Sequence, residues 1–254
     1  MTNGWHISIV DRLQALMGVS VQFDLDLRHT YFALRMGAGL LGLFLPLVLV
    51  GWGLSHEVAW NRMGSLSAFY WLSQSPPADS NALLRNWFVG SLVAVGTCLI
   101  IYRGYGNLEN WLLNFAGLAA AVVAFNPMPW PQLHEDRLHI HYTAAVTFFL
   151  LIAATIWFCA SDTLSAIASE KVRARWASTY KVFAIAILVV PLAGYLLAAK
   201  DHHTIWIEAL GVWVFSAYWF AKTYELSNVS MIEPAKGPAP RVRRVNGVLE
   251  IDRN

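Results

Sequence analysis

The chain has 254 residues, of which 57% are hydrophobic and 13% charged, with a formal net charge of +2. A water-soluble domain carries about 25% charged residues, so half that share excludes an ordinary soluble globule of this size. The twelve Trp residues fit the same reading, because indole rings favour the membrane–water boundary. No nucleic-acid partner is expected.

Residues 1–33 predict a cytoplasmic N-terminal segment of two parts. Trp5, Ile9, Leu13, Leu16 and Met17 fall near one helical face and predict an interfacial helix. In residues 19–27, Val21, Phe23, Leu25 and Leu27 alternate with Gln22, Asp24 and Asp26, which predicts a strand. No basic stretch leads into an early apolar run, so no secretory signal peptide is expected.

Residues 34–222 predict a bundle of six transmembrane helices. About 20 apolar residues cross the hydrocarbon core, and six runs qualify: 34–53, 87–102, 111–126, 141–160, 182–199 and 204–221. The second and third are short and draw on flanking polar residues. Pro46 and Pro191 lie inside the first and fifth, as membrane helices tolerate. The connection 54–86 is long and polar and contains Pro76-Pro77, a loop signal. The connection 161–181 carries a charged cluster and has partly helical character.

Lys and Arg set the orientation. Fourteen of the 18 lie on the side of the two termini and four (Arg62, Arg85, Arg137 and Lys200) on the other, so both ends are expected in the cytoplasm of a cell (inner) membrane protein. Residues 223–254 predict a cytoplasmic tail. After the Pro/Gly linker 233–240, Asn246-Gly247 between alternating residues is a strong hairpin signal, and a small cytoplasmic sheet joining both termini is expected. The fold class is therefore all-α integral membrane, with a β element at the termini. Cys98 and Cys159 lie in apolar runs without metal spacing and are expected as small core residues.

This topology gathers six of the eight histidines on the non-cytoplasmic face: His56, His134, His139, His141, His202 and His203. Histidine and carboxylate are the usual zinc ligands, so His139, His141, His203 and Glu208 form a candidate metal site, with zinc as the candidate cofactor. His139 and His141 are two apart and do not share a helix face. Glu208 stands inside the sixth apolar run, where a carboxyl is costly and marks a functional or partner-satisfied position. Glu208, Asn126, Arg85 and Trp206 are the candidate lipid or partner contacts. Arg85, with Ser65, Ser67 and Tyr70 upstream, has the chemistry to hold a phosphate, or it anchors a helix end.

Four features resemble the six-helix damage-regulated autophagy modulator family and its lipid-remodelling relatives. They are Ser65-Leu66-Ser67 with Pro76-Pro77 before the second helix, Asn126 ending the third, His141 with Ala144-Ala145 opening the fourth, and Glu208 leading to Thr223-Tyr224. The family's Ser-Asp pair is missing, since Ala68 follows Ser67. The resemblance covers about residues 34–225 and implies a role in lipid organisation. The segment from His203 to Glu208 also resembles the late His-x-x-x-His element of ceramidase-like intramembrane hydrolases, with Glu208, separated from His203 by four residues instead of three, standing for the second His and no early Ser-x-x-x-His element.

Three functions stay open. The first is a multi-pass membrane protein that binds membrane lipid or a partner protein, including as a subunit of a larger membrane complex. The second is a metal-dependent lipid-modifying enzyme. The third is a small proton-coupled transporter.

Overall fold

The computed structural model describes residues 9–55, 63–72, 78–128, 140–198, 202–231, 242–245 and 248–251, with side chains placed for 29–55, 63–71, 83–128, 140–198 and 202–227. Its elements are α1 (Ile9–Ser55), α2 (Phe69–Leu72), α3 (Ala78–Ile101), α4 (Asn107–Phe125), α5 (Ile140–Cys159), α6 (Glu170–Leu197), α7 (His203–Met231), β1 (Val242–Val245) and β2 (Val248–Ile251).

Six helical segments are long and apolar enough to cross a membrane: His29–Ser55, Leu83–Ile101, Asn107–Phe125, Ile140–Ala166, Glu170–Leu197 and His203–Ser227. They match the six apolar runs in order and extend most of them. The charged part of the 161–181 connection joins a span, because a 3-10 turn at Asp162–Ala166 is followed at once by α6. Pro46 and Pro191 sit inside α1 and α6.

The N-terminal expectation is corrected. Residues 9–28 are not a separate interfacial helix followed by a strand but the first part of α1, a single helix of 47 residues. At 1.5 Å per residue α1 runs about 70 Å, roughly twice the hydrocarbon thickness. The alternation at 19–27 is short and lies between two helix-forming stretches. A strand there would abandon the helical ladder without gaining a partner. In the tail, β1 and β2 pair antiparallel with Val245 opposite Val248. Residues 19–27 are helical and contribute no strand to that pair, so the expected sheet uniting the two termini is replaced by one confined to the tail.

The spans pack as a closed ring in the order α1, α3, α4, α5, α6, α7 and back to α1. Small residues set the closest approach. A Cβ on Gly96 of α3 would stand 2.6 Å from the Gly117 carbonyl oxygen of α4, and one on Gly117 would stand 2.5 Å from that of Gly96. Close backbone contact through glycine is how membrane helices associate when lipid offers no hydrophobic drive. Large apolar side chains on the outside stay uncovered, with Leu197 87% and Phe125 66% exposed, as a lipid-facing surface requires. The interior forms two cores, one around Leu99, Tyr180, Phe215 and Tyr218 and one around Leu49, Met63, Phe69 and Leu84.

Candidate functional site

Residues 63–72, between α1 and α3, fold inward over one end of the ring. Four successive i to i+3 backbone bonds, from Ala68 N–H to Ser65 O through Trp71 N–H to Ala68 O, wind residues 65–71 into a tight turn ending in α2. Met63, Leu66, Ala68 and Phe69 are buried, so the turn is anchored by apolar burial. Gly64 O accepts the Ile205 N–H at 2.9 Å, one of the first-turn donors that a helix start leaves without an internal partner.

This docking brings a Ser-Leu-Ser sequence against Glu208 on α7. Glu208 Oε2 accepts Ser65 Oγ–H at 2.8 Å and Leu66 N–H at 2.6 Å, and Oε1 accepts Ser67 Oγ–H at 2.8 Å. His141, at the start of α5, is buried, with Nε2 3.0 Å from Ser67 Oγ and Nδ1 2.7 Å from Asn126 O. Ser67 N–H donates to Ser65 Oγ at 3.0 Å, Ser65 Oγ lies 3.4 Å from Met128 Sδ, and Trp71 Nε1–H donates to Met128 O at 2.6 Å. The end of α4, the start of α5, the start of α7 and the inserted turn therefore converge on Ser67.

A cavity of about 60 Å³ opens beside this point, inside the ring. Its walls are mostly apolar, with Leu45, Phe88, Val123, Ala145 and Phe148 among them, and its polar residues are Ser67 and Glu208. His141 is not in the wall and stands behind Ser67.

Of the residues singled out in the sequence, Glu208, His141 and Asn126 meet here. Asn126 contributes its main-chain oxygen, while its side-chain amide turns back to Val122 O at 2.9 Å. His203 packs its ring on Tyr195 with centroids 4.6 Å apart. His139, His56 and His134 lie outside the described residues, and among the described residues no group of three His, Cys, Asp or Glu is placed to hold a metal ion. Arg85 sits over the Tyr70 ring at 5.9 Å, and the hydroxyls of Ser65 and Ser67 go to Glu208, not to Arg85. Trp206 is exposed on α7. Ser65 and Ser67 were visible in the sequence but not their link to Glu208. The available signal was a pair of hydroxyls in a connection facing a carboxyl inside a span.

A second polar cluster lies at the opposite end and was not anticipated. Lys222, counted above as a cytoplasmic charge, is buried and pairs with Glu225 at 2.8 Å. Its Nζ also donates to Ala160 O at 2.7 Å and Thr163 Oγ1 at 2.6 Å. Glu225 accepts Tyr180 O–H at 2.7 Å and Thr163 O–H at 2.9 Å. Nearby, burial raises the phenol of Tyr102 above its ordinary value. Through these bonds the cluster ties the end of α5 and the turn after it to α6 and α7.

No protein-family model matches the chain, and comparison with curated proteins and with solved structures finds no match.

Proposed function

We propose that this multi-pass membrane protein binds a membrane lipid, taking part of an acyl chain into the cavity within the ring and its polar end at Ser67 and Glu208. The single observation that carries the reading is the cavity itself, apolar along its walls and polar at Ser67 and Glu208. A concave, mostly apolar site with a few convergent polar groups is the usual form of a ligand site, and this one opens among helices that lie in lipid. The volume takes the head of a chain, a handful of water-sized groups, and the remaining chain stays in the bilayer. Arg85 over Tyr70, three residues from Ser67, offers a cation for a headgroup phosphate, and exposed Trp206 offers a lipid contact. The resemblance to lipid-remodelling six-helix proteins supports the same reading, since Ser67, Asn126, His141 and Glu208 are residues that carry it. The excess of Lys and Arg beside the termini supports a cell inner membrane location with both ends cytoplasmic.

Native mass spectrometry of detergent-purified protein tests this. Retained lipid is expected, and Val123→Phe or Ala145→Phe, which fill the cavity, lower its occupancy at least fivefold while the protein stays monodisperse. Retention that ignores both substitutions, or no retained lipid, sinks the reading.

A further inference from the structure

We infer that Ser67 is a nucleophile, with His141 as its base, for the hydrolysis of a fatty acyl ester of a membrane lipid. The inference rests on the lipid-cavity reading and gives that site a reaction.

Hydrogen-bond direction supplies the first support. A carbonyl oxygen only accepts, so His141 Nδ1, at 2.7 Å from Asn126 O, carries a hydrogen. That bond fixes both the tautomer and the orientation of the ring, the role a buried carboxylate plays in a Ser-His-Asp triad. In the neutral ring Nε2 is then bare, and it stands 3.0 Å from Ser67 Oγ, within reach for taking its proton.

The second support is the arrangement around Ser67. Its hydroxyl has one hydrogen and two partners, His141 Nε2 and Glu208 Oε1. Two proton arrangements satisfy both of these contacts. In one, an imidazolium donates to Ser67 and Ser67 donates to a Glu208 carboxylate. In the other, one proton has moved through Ser67 to Glu208, and Ser67 donates to neutral His141. The second leaves no buried charge and presents a hydroxyl hydrogen-bonded to a base. It also makes Glu208 Oε1 the donor to Ser67 Oγ, which holds that oxygen in place at the cavity wall.

The third support is access. Ser67 lines the cavity, so a carbonyl entering along the apolar walls meets the nucleophile, with His141 Nε2 3.0 Å from its oxygen.

The step balances with water as the only co-reactant. Ser67 Oγ bonds to the ester carbonyl carbon as His141 Nε2 takes the hydroxyl proton. The carbon–oxygen bond to the lipid alcohol breaks, and that alcohol leaves with the proton from His141. Water then attacks the acyl-Ser67, giving a proton to His141. Collapse releases the fatty acid and returns the proton to Ser67.

The test uses the full-length protein in detergent and an alkyl fluorophosphonate, with adducts located by peptide mass spectrometry. An adduct on Ser67 is expected, formed at least tenfold more slowly in His141→Gln. Ser67→Cys should lose that adduct and gain one with an alkyl thiol-reactive probe, which covers the case in which His141→Gln fails to fold. No adduct on Ser67, or labelling as fast in folded His141→Gln as in the parent chain, overturns the proposal. Retained lipid in the same preparation without labelling overturns the chemistry alone and leaves the lipid-cavity reading standing.

Discussion

Ser67 Oγ and Glu208 Oε1 share a hydrogen bond of 2.8 Å across 141 residues of chain. One oxygen of the inserted turn and one carboxyl of a spanning helix thus close the end of the ring, and with Ser65 and Leu66 they give Glu208 three hydrogen-bond partners. A carboxyl inside a span is tolerated when such partners exist.

Glu208→Leu removes the hydrogen-bond partner that Ser65, Leu66 and Ser67 share. Each buried donor left unmet costs about 1–3 kcal/mol, although polar bonds within membranes measure nearer 0.6. A loss of about 2–5 kcal/mol follows between those limits. Glu208→Gln keeps one oxygen to accept Ser65 and Leu66 and turns its amide to Ser67, so its loss should be under half as large. Chemical denaturation in detergent, followed by Trp fluorescence, measures both. A Glu208→Leu protein as stable as the parent would show that the turn is held by Met63, Leu66 and Phe69 alone.

The ring was legible because each span buries or exposes apolar groups over about 20 residues, a signal no local detail can hide. Glu208 was legible for the converse reason, since a carboxyl in such a run needs a partner. The partner itself was not legible, because Ser65 and Ser67 lie in a polar connection where hydroxyls are common. Nothing local marks which of them reaches a helix far along the chain. Lys222 was misjudged by the same logic. A lysine near the end of a span reads as an interfacial charge, and only the i, i+3 spacing to Glu225 hinted at a buried pair. Residues 19–27 show the limit of period-two reading, since α1 runs through a nine-residue alternation without interruption.

Lys222→Met should destabilise more than the double change Lys222→Met with Glu225→Leu. The single change leaves a buried carboxylate without its cation, at a cost of about 3–5 kcal/mol. The double change removes the charge and leaves Thr163 and Tyr180 without their acceptor and Ala160 O without its donor, all of them neutral groups, which costs less in sum. Thermal midpoints by size-exclusion chromatography of heated samples rank the three proteins. A double variant less stable than the single one would mean that the Glu225 hydrogen bonds outweigh the ion pair.

Gly117→Val should loosen the contact between α3 and α4, because a Cβ there meets the Gly96 carbonyl oxygen at 2.5 Å and Ile100 Cγ1 at 2.7 Å. The neighbour at the first contact is backbone and cannot step aside, so the helices must separate. Gly37→Ala, where a Cβ meets nothing within 4 Å, serves as the comparison and should hold or raise stability by up to about 1 kcal/mol. The two thermal midpoints should differ by several degrees. Equal midpoints would show that the α3–α4 approach is not limiting.

The orientation yields the last expectation. Six spans return the chain to the side on which it started, so whatever side holds α1's first residues also holds β1 and β2. The imbalance of Lys and Arg, fourteen near the termini against four opposite, predicts that this side is cytoplasmic. Green fluorescent protein fused after Asn254 should therefore fluoresce, and alkaline phosphatase fused at the same point should be inactive. A phosphatase fused within residues 129–139, in the connection between α4 and α5, should be active. The reversed pattern would put Ser67, His141 and Glu208 near the cytoplasmic leaflet, moving the lipid cavity to the other half of the bilayer. Activity at both fusion points would contradict the count of six spans, since three of them, an odd number of crossings, separate the α4–α5 connection from the C-terminus.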